Sequence, residues 1–111
     1  MDTLNRYREI VEQVLTAVAR LPAASPGVAD RAIFDRKADS SVVIALGWER
    51  ARRPRRVVIH LEIINGKVWI QEDNTDVIIA EDLELAGIPK SDIVLGFHPA
   101  DVRPHTGYAV G

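Results

Sequence analysis

Cysteine is absent from all 111 residues, which excludes disulfides, thiolate metal sites and a cysteine nucleophile together. No apolar run approaches membrane-spanning length. The N-terminal stretch MDTLNRYREIVEQVL sets Asp2, Glu9 and Glu12 among its apolar residues, so it lacks the unbroken core of a signal peptide. No Walker loop, dinucleotide glycine pattern, nucleophile elbow or HExxH helix occurs, nor any repeat of roughly 20–50 residues. These absences lead us to expect one cytoplasmic domain spanning residues 1–111, with no membrane partner, no cofactor, no metal and no catalytic constellation.

What the chain does carry is charge, unevenly spread. Residues 1–56 hold 11 bases and 7 acids, whereas residues 57–102 hold 2 bases and 9 acids. Such asymmetry points to a polyionic partner or to self-association, unless folding mixes the two halves into one bland surface.

Leu4, Tyr7, Val11, Val14, Val18 and Leu21 recur at three- and four-residue spacing, which predicts an amphipathic helix over 3–20, capped by Asp2 or Thr3 and ended by Pro22. PAASPG (22–27) reads as a short connector. The period then changes to two: RAIFDRK (31–37) and SVVIALGW (41–48) read as strands joined by ADS. VVIHLEII (57–64) and KVWIQED (67–73) meet across Asn65-Gly66, a two-residue hairpin turn. A second helix is expected over 76–87, with Thr75 or Asp76 as N-cap and Gly87 at its end. DIVLGF (92–97) and TGYAV (106–110) read as final strands. The order α-β-β-β-β-α-β-β predicts an α+β fold, with an N-terminal helix and a second helix packed on a largely antiparallel sheet.

Pairing inward from the turn places Ile64 opposite Lys67, Glu62 opposite Trp69 and His60 opposite Gln71. His60, Glu62, Trp69 and Gln71 then share one face, while Ile59, Leu61, Ile63, Val68 and Ile70 take the core side. An aromatic among hydrogen-bonding groups suits a partner-binding surface; the alternative is a half-exposed face with Trp69 tucked under a loop. His98, Asp101 and His105 share one loop, but the spacing of the histidines fits no metal-ligand signature. EDNTD (72–76), with Asp73 and Asp76, lacks the central glycine and distal glutamate of a calcium loop, so it reads as helix capping. Ser40-Ser41 reads as a turn rather than a nucleophile beside a base.

RARRPRR (50–56) packs Arg50, Arg52, Arg53, Arg55 and Arg56 into seven residues between two expected strands, where Pro54 discourages regular pairing. Arginine forks suit phosphate oxygens. A solvated turn, a contact with an acidic protein surface and a nucleic-acid contact all remain open at this point.

Several stretches together resemble a known family. GW (47–48), HLEIINGKVWIQEDNTD (60–76), IAEDLELAGIPKSDIVLGFHP (79–99), R-x-H-T-G-Y-A-V (103–110) and the opening LNRYREIVEQVL (4–15) are similar to the XisI family, the fdxN element excision controlling factors found chiefly in cyanobacteria. The resemblance spans nearly the whole chain, and KVWIQ-x-D, GIPKSDIVL-x-FHP and T-x-Y-A-V carry it most specifically. It departs at Asp73-Asn74-Thr75-Asp76, where the family shows a DGTE-like turn followed by glycine; Asn74 is expected to adopt the left-handed conformation a glycine would. The resemblance implies an α+β accessory factor in the developmentally regulated excision of a DNA element, a DNA recombination process. It also implies work beside an XisH-like protein, with strand exchange left to a separate recombinase. We therefore expect a non-enzymatic regulator that contacts an XisH-like partner through His60, Glu62, Trp69 and Gln71, with direct DNA binding through the five arginines as the competing reading. Self-association is also expected from the exposed hairpin and the charge asymmetry.

Overall fold

The computed structural model describes residues 2–22, 26–75 and 78–111. The apolar stripe of the N-terminal segment becomes helix α1, Thr3–Ala19, with the Asp2 carboxylate accepting the Leu4 N–H at 3.0 Å. This cap satisfies one of the orphan amides that open a helix. Tyr7, Ile10, Val11, Leu15 and Val18 form its buried face.

Four strands follow as an antiparallel meander: β1 Val28–Asp35, β2 Ser40–Gly47, β3 Arg55–Ile64 and β4 Lys67–Asp73. At the β1–β2 turn the Asp35 carboxylate accepts the N–H groups of Lys37 and Ala38 (2.9 and 3.1 Å). Asp39 there takes a left-handed φ of 51° and is gripped by Arg8 through two bonds of 2.7 and 3.1 Å. Asn65 (φ 52°) and Gly66 (φ 77°) close the β3–β4 hairpin, as two positive φ values demand in a tight turn.

Helix α2 is shorter than the expected 76–87. It runs Ile79–Ala86, and its N-cap position is Ile78, which makes no side-chain cap bond. Thr75 is a turn residue instead, its N–H and hydroxyl both donating to Asp73 Oδ1 (2.9 and 2.6 Å); Asp76 and the 23–25 part of the expected connector lie outside the described residues. Asn74 is not among the residues with positive φ. Its amide instead donates to the Val57 carbonyl and Glu72. Gly87 ends α2 at φ 119°, and the Ile88 N–H bonds back to the Leu83 carbonyl, the left-handed helix stop that glycine permits.

The two final strands are mostly not strands. Only Ile93–Val94 pairs, as β5, parallel to β4; the chain turns at once, with the His98 N–H donating to the Leu95 carbonyl. Residues 106–110 contribute a single bridge, Ala109 to Val94, because Pro104 sits in a 3-10 turn, Arg103–His105, and Gly107 takes φ 84°. The sheet order is β1-β2-β3-β4-β5, an α+β fold.

Both helices cover one face of this sheet. Leu15 from α1, Leu83 from α2 and Val43, Ile59, Leu61, Val68, Ile70 and Ile93 from the strands are all essentially inaccessible. Two bulges interrupt the alternation. Val58 is the extra residue of β3 against β2, where Val43 faces Ile59 and Ile44 faces Val57. Val58 and Ile59 are therefore both buried, which a strict period of two forbids.

Candidate partner-binding face and basic hairpin tip

The face of the sheet opposite the helices holds the four residues expected there, with one change of register. Ile64 faces Lys67 and Glu62 faces Trp69, but His60 faces Glu72 rather than Gln71. Gln71 is the extra residue of a second bulge, between the Leu61–Ile70 and His60–Glu72 pairs, and a bulge re-aims the side chain it frees. Its amide donates to Glu62 Oε1 at 3.1 Å. Glu62 Oε2 lies 3.6 Å from His60 Nε2, and that same nitrogen lies 3.0 Å from the Ser40 hydroxyl.

Ser40 was expected in a turn with no base nearby. It opens β2 and sits opposite Glu62, beside His60. The β2–β3 register that brings them together depends on the Val58 bulge, and no local pattern announces that. Hydroxyl and carboxylate both address one imidazole nitrogen. A nucleophile–base–orienter relay needs the carboxylate on the other nitrogen, so the geometry is that of a surface network.

Trp69 is only half-open, because the C-terminal segment closes over it. The Arg103 guanidinium stacks 4.9 Å from the ring centre and its Nε–H donates to the His98 carbonyl at 3.1 Å. A Cβ on Gly96 would lie 2.9 Å from Trp69 Cε3 and 2.7 Å from Gln71 Oε1, so only glycine lets the backbone pass there. Sequence reading missed both contacts, since residues 96 and 103 reach the hairpin only through the parallel addition of β5.

The arginine stretch is less of a loop than expected. Arg55 and Arg56 open β3, and only residues 48–54 connect the strands. Glu49 and Arg52 exchange backbone bonds (2.9 and 3.0 Å) around Arg50, which takes φ 57°. Arg53 stacks on Trp48 at 4.8 Å, and Trp48 is 54% exposed. Among the described residues none of the five arginines lies within 4.0 Å of a carboxylate.

His98 lies tilted against the Phe97 ring at 4.5 Å, and the described residues hold no group of three or more histidine, cysteine, aspartate or glutamate side chains that could hold a metal ion. No helix among them is long and apolar enough to cross a membrane.

The XisI protein family model matches residues 1–110 of the chain. The chain belongs to the XisI family. Two crystal structures from Anabaena variabilis ATCC 29413 share the fold. The fdxN element excision controlling factor XisI is 35% identical with a TM-score of 0.85, covering 99% of this chain and 100% of its own. A XisI-like protein is 35% identical with a TM-score of 0.90, covering 97% of this chain and 99% of its own. No curated protein matches the chain.

In this chain the motif GIPKSDIVLGFHP is a structural joint. Gly87 supplies the helix stop, Ile88 is fully buried, and Asp92 accepts the Tyr7 hydroxyl from α1. Burial, then the bond to Asp92, pushes the Tyr7 phenol up to about 12. T-x-Y-A-V serves the same joint: Tyr108 donates to Glu84 at 2.7 Å, and burial followed by that bond raises its phenol to about 12. The Ala109 N–H donates to the Ile93 carbonyl at 2.8 Å. Two of the three most specific XisI stretches thus lock α1, α2 and β5 together. The third, KVWIQ-x-D, supplies Trp69 and Gln71 to the open face.

Proposed function

We propose that the chain is a non-enzymatic, cytoplasmic controlling factor of DNA-element excision, acting through protein–protein contact with an XisH-like partner. His60, Glu62, Trp69 and Gln71 form the contact face. The single observation that carries this reading is the network from Ser40 through His60 and Glu62 to Gln71. It lies on the sheet face that the helices leave uncovered. Fixed hydrogen-bonding groups around a partly exposed tryptophan supply the low ordering cost and the aromatic anchor that interfaces favour. The controlling-factor role is supported by the family and by the name of the Anabaena relative.

Glu62→Lys reverses the charge at the centre of the network without touching the core. Co-purification of the XisH-like partner should fall at least about tenfold while the circular dichroism spectrum is unchanged. Unaltered capture by a folded Glu62→Lys protein refutes the contact face.

A second reading is favoured by a separate observation, the five arginines without a carboxylate partner among the described residues. They would grip a nucleic-acid backbone, with the exposed Trp48 offering a stacking surface. Gel-shift affinity should then fall steeply with salt, and replacing Arg50, Arg52 and Arg53 should flatten that slope. An absence of binding at low salt ends the reading.

A further inference from the structure

Strand β1 is the terminal strand of the sheet among the described residues. It is eight residues long, and Ile33 (51%) and Phe34 (37%) on it remain exposed. A long edge with exposed apolar side chains is a template for another strand.

The sequence of this edge is complementary to itself. In Asp30-Arg31-Ala32-Ile33-Phe34-Asp35-Arg36, an antiparallel copy centred on Ile33 sets Ile33 against Ile33, Ala32 against Phe34, Arg31 against Asp35, and Asp30 against Arg36. Every charged position meets the opposite sign. Charges placed merely to blunt an edge need no such mirror relation.

The backbone phase agrees. The Trp48 N–H donates to the Gly27 carbonyl at 2.9 Å, in the register that continues as Val28 with Gly47. Residues 27, 29, 31, 33 and 35 thus spend their backbone groups on β2, and antiparallel alternation turns those of Val28, Asp30, Ala32 and Phe34 outward. Centring on Ile33 pairs Ala32 with Phe34, both of which turn their amides and carbonyls outward, and sets Asp30, which does the same, against Arg36 in the turn that follows β1. Neither Arg31 nor Asp35 has an ion-pair partner among the described residues. Arg36 is held by Glu12 through bonds of 2.8 and 2.9 Å, so it would be shared. On the helix side a groove of about 450 Å³ borders the edge, lined in part by Phe34, Gln13 and Ala17; it lies where the second copy's Phe34 would arrive.

We propose that two copies of this chain join edge to edge through β1, antiparallel and centred on Ile33, to form one continuous sheet. The contact is isologous, so each favourable pair occurs twice.

The absence of cysteine makes a direct test available. Ile33 would face its own copy at a non-hydrogen-bonded pair, where Cα atoms about 4.5 Å apart lie within disulfide reach. Ile33→Cys should therefore oxidise readily to a covalent dimer. Ala29→Cys on the same strand and face should not, because its copy lies roughly 26 Å away at about 3.3 Å per residue. In sedimentation equilibrium the unmodified chain should approach twice 12.3 kDa, and Arg31→Asp, which faces Asp35 twice, should weaken the dimer at least about tenfold. Equal cross-linking of the two cysteine variants, a monomeric unmodified chain, or a dimer indifferent to Arg31→Asp in a folded protein overturns the proposal.

Discussion

Two hairpins share strand β3, and they use their polar side chains in opposite ways. The β3–β4 hairpin turns on two residues and ties its polar groups into one network: Gln71 bonds to Glu62 within the hairpin, and His60 bonds to Ser40 across to β2. The β2–β3 hairpin ends in a wider connection whose arginines pair with no acid among the described residues, and Arg53 rests on the ring of Trp48. The contrast is not a shortage of acids in the molecule. Arg8 and Arg36 each hold a carboxylate through two bonds, and those bonds keep Asp39 and Glu12 below the ordinary carboxylate range. Arginines that tie elements together are paired; those at the tip are left to the surroundings. The tip should therefore contribute surface chemistry, and the neighbouring hairpin stability.

Breaking the β3–β4 side should cost most. Ile70→Ala removes a fully buried side chain and should lower unfolding free energy by about 2–5 kcal/mol in a denaturant titration. Next comes the closure over Trp69: Gly96→Ala forces a methyl against a ring and a carbonyl, for about 1–3 kcal/mol. The joint behind the hairpin gives a smaller, pH-dependent effect. Tyr7 and Tyr108 ionise near 12 in the folded protein against an ordinary 10.0. The neutral phenol is thus favoured by folding, and its contribution is complete below about pH 10 and lost as pH rises through 12. Urea midpoints should fall across that window in the natural chain and fall less in Tyr7→Phe/Tyr108→Phe, which should itself lose about 1.5 kcal/mol per site at neutral pH. At the other extreme, Arg50→Ala and Arg52→Ala should change stability by no more than about 0.5 kcal/mol. Arg53→Ala adds only the loss of its stack on Trp48, about 0.5–1 kcal/mol. If an arginine at the tip costs as much as Ile70, the contrast between the hairpins is wrong.

How much of this was legible depended on whether the signal was local. Asn65-Gly66 carries its own turn chemistry, so the Glu62–Trp69 pairing and the core positions of Ile59, Leu61, Val68 and Ile70 followed from it. The same count failed five residues from the turn, because a bulge is an extra residue with no obligatory sequence mark; Gln71 therefore kept its face but lost His60 as its partner. Extended-looking TGYAV became a single bridge because its place beside β5 is set by Tyr108 on Glu84 and Ala109 on Ile93, contacts distant in sequence. Ser40 entered the candidate face for a similar reason. The arginines were visible at once as a cluster, but which of them belonged to strand β3 was not.

The chain's two tryptophans stand one on each hairpin, in unequal shelter. Trp48 is open to water beside a concentration of positive charge, while Trp69 lies beneath Arg103 and the backbone at Gly96. Their fluorescence should separate accordingly: iodide, drawn in by the arginines, quenches the red-shifted emission of Trp48 before it reaches Trp69. A polyanion at the tip would then shield one signal, and a protein docking on the neighbouring hairpin would shift the other, so unlabelled protein can report which of its two surfaces has been occupied.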